Sequence, residues 1–362
     1  MTKSKSMIGE EIAINEHLEA AGVTPVETDM GEYIIQLRSE PPSHLIAPAI
    51  HLSRGQVADT FRAGHADLDP DRDLDGARDL LDEARDKLRP KFIEADIGLT
   101  GANMLIAETG SVVIVTNEGN ADLTQTLPRV HVVLASIEKV MPTLEDATVI
   151  LRLLARSATG QEISVYTTFS SGPRRPADPD GPDEFHVVLL DNGRTAMLGG
   201  DFHDMLTCIR CGACLNHCPV YGAVGGHAYG WVYSGPMGAV LSPALIGIEA
   251  AGNLGHASTL CGRCQEVCPM GIPLPRMLRH WRRLSSEKHG AGLMIRAWAF
   301  AARRPWLYRL VVDPSVAVLA LLGRKKGRFS RLPLAAGWTD QRDLPAPEGG
   351  TFMGRWKSRG SP

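Results

Sequence analysis

The sequence predicts an α/β domain with a largely parallel sheet, followed by a mostly α-helical domain organised by cysteine. Two observations carry this. In the first half, short β-branched runs alternate with segments of helical period, the pattern of βαβ units. Further on, all seven cysteines fall in two groups between residues 208 and 268. The 362 residues, 44% of them hydrophobic, suffice for two or three domains with true cores. The boundaries expected are 1–195, 196–290 and a helical, proline-rich tail over 291–362. A net charge of −3 offers no nucleic-acid footprint.

Taken in order, residues 5–21 read as a helix stopped by Gly22, and Val23 to Thr28 and Tyr33 to Leu37 as short strands. A proline-set loop follows over 40–48. Residues 54–63 and 73–92 are helical; the second buries Leu74, Ala77, Leu80, Leu81, Ala84 and Leu88 and is expected to end early at Pro90. Gly98 to Gly101 reads as a turn, Met104 to Glu108 as a short apolar run and Ser111 to Thr116 as a strand. Polar, glycine-containing loops at strand ends are where α/β folds place ligands, so Glu108, Thr109, Asn117, Glu118 and Asn120 are candidates for a polar pocket, against ordinary turn chemistry. No G-x-G-x-x-G fingerprint or P-loop lysine supports a nucleotide site. His131 to Ser136, Ser164 to Phe169 and Phe185 to Leu190 complete the strands, and a helix over 143–157 takes Thr143 as its N-cap.

The chemistry lies further on. CIRCGACLNHCP spaces Cys208, Cys211, Cys214 and Cys218 as C-x2-C-x2-C-x3-C-P, the spacing of bacterial two-cluster iron–sulfur proteins. CGRCQEVCP supplies Cys261, Cys264 and Cys268. Two-residue gaps let three sulfurs of one tight loop meet three corners of a cubane, and the cysteine before proline crosses to the other cluster. Cluster 1 then takes Cys208, Cys211, Cys214 and Cys268, and cluster 2 takes Cys218, Cys261 and Cys264. Ser258 stands where a full second motif has cysteine. Cluster 2 is therefore a 4Fe-4S cubane with serine, water or another ligand on its fourth iron, a 3Fe-4S cluster, or a cubane with a ligand from elsewhere. His256 and His217 are nearby, though a lone histidine more often serves a surface or hydrogen-bonding role.

Zinc also takes cysteine pairs, but a structural zinc wants a closed set of four. Disulfides belong to secreted chains, and no signal peptide is visible, so a reducing compartment, the cytoplasm, is expected. Gly212, Ala213 and Gly262 let backbone N–H groups approach sulfur, and Arg210 and Arg263 bring positive charge, or are plain surface charge. The glycine- and aromatic-rich stretch over 227–247 could wrap a cluster, and a basic helix follows Pro275. No apolar run reaches the roughly 18–20 residues that span a bilayer; Val316 to Gly323 is too short, so no transmembrane segment is expected. AWAFAARRPWLYRL, over 297–310, suits a membrane surface or a partner, or packs back on the protein.

The chain resembles the lactate utilization protein B family. The resemblance runs across nearly the whole chain, through KSKSM, ETDMGEYIIQL, PPSHLIAPAIH, EADIGLTGANMLIAETGSVVIVTNEGN, GPDEFHVVLLDNGR, CIRCGACLNHCPVY, GGHAYGWVYSGPMGAVLSP and LCGRCQEVCP. It implies a LUD domain, similar in fold to ribose-phosphate isomerases and CoA transferases, before a two-cluster ferredoxin-like domain. It also implies two partner proteins encoded in an L-lactate oxidation operon. Family members carry a further stretch before KSKSM, so the resemblance implies that the first part of the LUD domain lies outside this sequence.

The function expected is an electron-transfer subunit of a complex that oxidises L-lactate to pyruvate, without catalytic residues of its own, because no flavin or nicotinamide motif is present. The rival is an acyl- or sugar-phosphate-binding protein with structural or regulatory clusters, with Glu108 the residue to test as a nucleophile.

Overall fold

The computed structural model of the chain describes residues 1–290, 292–332, 336–340 and 342–359. Met1–Ser285 form one compact unit, which holds both the α/β part and the cysteine groups, and Ser286–Pro362 form a second.

Nine strands occur in the first unit: β1 (Thr2–Lys3), β2 (Val26–Glu27), β3 (Ile97–Gly101), β4 (Met104–Ile106), β5 (Ser111–Thr116), β6 (Val130–Ser136), β7 (Val140–Met141), β8 (Tyr166–Ser170) and β9 (Glu184–Leu190). β2-β1-β3-β6-β9 form a sheet in which every pair is parallel, as the alternation of strands and helices predicts. The order reverses direction between β1 and β3. A second sheet, β7-β4-β5-β8, is antiparallel except at β4–β7. The sequence does not announce this sheet, because its apolar runs look the same as those of parallel strands.

Several local expectations need correction. Tyr33 to Leu37 is not a strand but part of helix Met30–Arg38, which Asp29 caps by accepting from Gly31 N–H at 3.1 Å. Its YIIQL run satisfies either period, and packing Tyr33 and Ile34 against Val57 and Phe61 selects the helix. The segment 5–21 is two helices, Met7–Glu11 and Ile14–Ala20, broken where Ala13 turns left-handed at φ 51°. Gly98 to Gly101 is strand β3, not a turn. Gly98 serves close approach: a Cβ there would meet the Thr124 carbonyl oxygen of helix Asn120–Thr126 at 1.8 Å. Pro90 does not end its helix, which runs Ala77–Glu94 with Leu88 and Phe92 buried on either side of it. On that helix Ala77 and Leu81 are exposed, while Leu80, Ala84 and Leu88 are buried. Thr143 caps helix Leu144–Thr159 as expected, accepting from Asp146 N–H at 3.1 Å.

From Thr195 to Ser285 the structure is helical, as predicted, around a core of Leu215, Tyr233, Met237, Val240, Met277 and Leu278. The proline-set loop is its link to the α/β part. Tyr221 Oη donates to the Ser43 carbonyl at 2.8 Å, and His44 Nε2 and Asn216 Oδ1 pair at 3.1 Å.

The second unit holds helices Leu293–Ala302 and Pro305–Gly323, a strand pair Arg328–Phe329 with Leu344–Pro345, and helix Phe352–Ser358. Here the expectation about apolar length is overturned. Pro305–Gly323 is a 19-residue helix long and apolar enough, by length and composition, to cross a membrane. The run of residues Val316 to Gly323 was too short only because Arg309 and Asp313 interrupt the apolar stretch without ending the helix. Trp298, Phe300 and Trp306 are exposed.

Candidate functional site

The two cysteine groups fold as copies of one loop. Arg210 and Leu260, each directly before the second cysteine position, have φ of 62° and 57°. Gly212 and Gly262, directly after Cys211 and Cys261, have φ of 74° and 91°. Two left-handed residues around one cysteine curl the backbone so that its N–H groups face inward. Glycine takes the second place at no steric cost, whereas Arg210 and Leu260 bear strain. A short helix follows in each copy, Ala213–Asn216 and Arg263–Glu266. A Cβ on Gly212 would also crowd the His44 ring and Ile46 at 3.3 Å, so this glycine admits the proline-set loop.

These loops bring the cysteines together in two places. Cys208, Cys211, Cys214 and Cys268 line one small, largely apolar cavity with Ile209, Met237, Met270 and Ile272. Burial pushes the Cys211 thiol up to about 11, with Cys208 and Cys268 adding to the rise. Burial likewise pushes the Cys264 thiol up to about 11, reinforced by Cys218 and Cys261. Each set therefore consists of sulfurs that feel one another. Cys214 also feels Cys264, so the two places adjoin. Among the described residues no three His, Cys, Asp or Glu side chains converge as a single ion requires. Four thiols spread around an apolar cavity, without converging on one point, fit a polynuclear iron–sulfur core better than a tetrahedral zinc.

Donors surround the sulfurs. Tyr221 N–H reaches Cys218 Sγ at 3.4 Å, where Cys218 caps helix Pro219–Val224. The Met237 backbone bonds Cys214, and Arg263 N–H and the Thr259 side chain bond Cys261. The Tyr229 hydroxyl is buried beside Cys218 without a hydrogen bond of good geometry, and burial first and the Cys218 thiolate second hold it protonated. A buried hydroxyl donor facing Cys218 fits a sulfur-rich group there.

Ser258 occupies the place in the second loop that Cys208 has in the first. Its Oγ accepts from Leu260 N–H at 3.0 Å, and Arg282 donates to its carbonyl oxygen at 2.6 Å. His217 Nδ1 donates to the Ala213 carbonyl at 3.0 Å, and His256 is exposed. Arg263 pairs with Glu266 in solvent, whereas Arg210 is enclosed.

A second cavity, of about 280 Å³, opens at the carboxyl ends of β1, β3 and β6. This is the switch point of the parallel sheet, the place where open α/β sheets bind ligands. Lys5, Asn103 and Lys139 follow those three strands into its wall, and Ile209, Arg210 and Tyr233 close it from the cysteine side. Of the five polar candidates named from sequence, Asn117, Glu118 and Asn120 line this cavity. Glu108 and Thr109 do not. Glu108 is exposed and accepts from Leu144 N–H at 2.8 Å, and Thr109 donates to Ser111 Oγ at 2.8 Å.

Behind the cavity lies a buried ion network. Arg194 reaches Glu11 at 2.8 and 2.6 Å and Glu138 at 2.8 Å; Arg210 reaches Glu138 at 3.0 Å; Tyr233 Oη donates to Glu11 at 2.6 Å. Burial alone would raise the Glu138 carboxyl, but Arg210 and Arg194 overrule it and hold it at about 2. Lys139 is half-buried beside them. Burial, then Arg210, brings its ammonium down to about 8, against the opposing pull of Glu138 and Cys208. Sequence reasoning misses this network because its bonded members lie up to 222 residues apart. A usable signal was Glu138-Lys139, charged residues just past the carboxyl end of a buried strand.

The LUD domain family matches residues 3–190, and the 4Fe-4S dicluster domain family matches residues 204–272. Lactate utilization protein B of Lysinibacillus sphaericus is 43% identical over 365 residues, covering 99% of this chain and 76% of that protein. The chain belongs to this family. The protein of the same name from Geobacillus thermodenitrificans is 43% identical over 366 residues, covering 99% and 76%. That of Geobacillus sp. WCH70 is 44% identical over 357 residues, covering 96% and 74%. Among solved structures, a DUF162 family protein from Deinococcus radiodurans covers 44% of this family member and 93% of its own chain. Its identity is 16% and its TM-score 0.23, too low to compare architectures. This member of the family thus joins a LUD domain to a 4Fe-4S dicluster domain.

Proposed function

We propose that the protein is the electron-transfer subunit of a complex that oxidises L-lactate to pyruvate, passing electrons through two clusters. The observation that carries this is the sorting of the cysteines. Cys208, Cys211, Cys214 and Cys268 share one cavity, and Cys218, Cys261 and Cys264 feel one another beside it. The first set would hold a 4Fe-4S cluster, and the second a cluster with three cysteine ligands, 4Fe-4S or 3Fe-4S. Such clusters supply one-electron steps. This chain's residues bind the irons through thiolates, donate hydrogen bonds to sulfur from backbone N–H groups, and keep water from the first cluster with Met237, Met270 and Ile272. Lactate oxidation releases two electrons, so a partner must carry out the two-electron step, and two operon-encoded partner proteins are proposed. The same reading puts the protein in the cytoplasm, where thiols stay reduced. Its domains are 1–195, 196–290 and 291–362, and the exposed aromatic residues of the last supply a peripheral membrane contact.

The test is anaerobic iron and sulfide analysis with EPR. About eight irons and eight sulfides per chain are expected, and Cys264→Ser should bring them to about four while leaving one reduced-state signal. Zinc without sulfide would sink the proposal. So would Cys268→Ser and Cys264→Ser removing the same signal. The rival reading, with Glu108 as nucleophile, is disfavoured by the exposure of Glu108 and its bond to Leu144 N–H, away from the cavity.

A further inference from the structure

We propose that the cavity between the carboxyl edge of the parallel sheet and the Cys208–Cys214 loop binds a small monocarboxylate, held by Lys139 and Arg210. The first argument is charge. Three cations, Arg194, Arg210 and Lys139, meet only two carboxylates, Glu11 and Glu138. Arg194 is ion-paired to both carboxylates, through two hydrogen bonds to Glu11 and, without hydrogen-bond geometry, from Nε to Glu138 at 2.8 Å. Arg210 binds Glu138 through one nitrogen, and its other terminal nitrogen is buried with no hydrogen-bond partner. Lys139 has no hydrogen bond or ion pair among the described residues, although it lies within the field of both Arg210 and Glu138. Leaving a half-buried ammonium and a buried guanidinium N–H without an acceptor is costly, and one bound carboxylate answers both.

The second argument is place and size. Lys139 and Arg210 both line the cavity at the sheet's switch point, where α/β folds take ligands. At about 280 Å³ it sits at the small end of ligand sites. Asp29 and Glu118 also line the cavity, in the field of Lys5, so the excess of one positive charge belongs to the Lys139–Arg210 end, and one carboxylate matches it. A phosphate would overfill it, and no glycine-rich phosphate loop is present. Lys5, the remaining cation of the wall, is already engaged by Glu32 at 3.2 Å and the Ile46 carbonyl at 2.6 Å.

The competing use of Lys139 is to offset the charge of the first cluster through Cys208. Against that, Lys139 lines the large cavity and not the cysteine cavity, whereas Arg210 lines both. Arg210 therefore connects the two. A carboxylate seated on it adds negative charge beside the cluster and lowers its midpoint potential. This last step rests on the cluster assignment proposed above, but binding itself does not.

The experiment is calorimetric titration of the full, cluster-loaded chain with L-lactate and with pyruvate, with inorganic phosphate as the contrast. An EPR redox titration of the first cluster is run with and without each acid. Expected are saturable binding of at least one acid and a negative shift of the potential on binding. Lys139→Gln should weaken binding roughly tenfold or more, the loss of one charge-assisted contact. Asn103→Asp keeps the acceptor that Val115 N–H uses at 2.9 Å and adds a like charge to the wall, so it should weaken binding even if Lys139→Gln misfolds. Absence of binding at millimolar acid overturns the proposal. So does tighter binding of phosphate, or a Lys139→Gln protein that binds the acids as wild type does and shifts only the potential. A chain that binds the acid but carries no iron would instead sink the electron-transfer reading and leave the site standing.

Discussion

His131 shows what a single buried group contributes. It lies on β6, 1% exposed, with Nε2 2.8 Å from Thr100 Oγ1 and its ring edge-on to Phe185. No carboxylate faces it, and burial alone brings its pKa down to about 4. The unfolded chain takes a proton near pH 6.5 and the folded chain only near pH 4, so the unfolded state holds more protons in between. Stability from this group is therefore present above pH 6.5 and is lost as pH falls toward 4. Between pH 7 and pH 5 the loss is about 2 kcal/mol. Chemical unfolding at the two pH values should show wild type losing about that much more than His131→Gln. Acid lability of the clusters affects both proteins alike, so equal losses would mean that His131 is not held neutral by the fold.

At the scale of elements, the parallel sheet depends on how closely helix Asn120–Thr126 lies on β3. Gly98 makes that contact, since a Cβ would sit 1.8 Å from the Thr124 carbonyl oxygen. Gly98→Ala should cost about 1–3 kcal/mol, the range for overpacking, and lower the thermal midpoint. An unchanged midpoint would mean that helix and strand separate freely. The same glycine shows where the sequence was legible. Read from sequence, Gly98 and Gly101 look like turn punctuation. Only the neighbouring helix, which no local pattern reveals, makes Gly98 a strand residue. Tyr33 to Leu37 was ambiguous for a similar reason, because the short run YIIQL, apolar except for Gln36, fits either period until Val57 and Phe61 pack on it. Helix Leu144–Thr159 and strand β5 were readable because cap, period and β-branching agree locally. The two cysteine groups were equally visible in the sequence, because their spacing marks a cluster-binding loop; which sulfurs share a cluster belongs to the proposal. The ion network from Glu11 to Arg210 was invisible, since it forms only when the chain's beginning returns against residues near 138, 194 and 210.

Across the whole first unit, the two cysteine sets differ in their access to solvent. Each has one buried member, Cys211 in the first and Cys264 in the second, but the first set adjoins the cavity and Arg210, whereas only the second has an exposed cysteine, Cys261. An electron moving from the interior to a partner's acceptor would leave by the second set. Exposure has a second consequence there, because Ser258 stands where the first loop has Cys208, and its Oγ is already engaged by Leu260 N–H. On the proposed assignment, a cluster in that set would have one corner without a thiolate and one cysteine open to solvent, the conditions for oxidative loss of iron. Brief exposure to air should therefore produce an oxidised three-iron EPR signal from the second set while the first cluster still reduces normally. Ser258→Cys supplies the missing thiolate on a loop whose backbone already matches its four-cysteine counterpart at Leu260 and Gly262. That variant should retain close to eight irons after the same exposure that brings wild type to about seven. Loss of the first cluster before the second would contradict the greater lability expected from the exposed Cys261 and the open corner. Equal lability of wild type and Ser258→Cys would mean that the open corner is closed by another ligand.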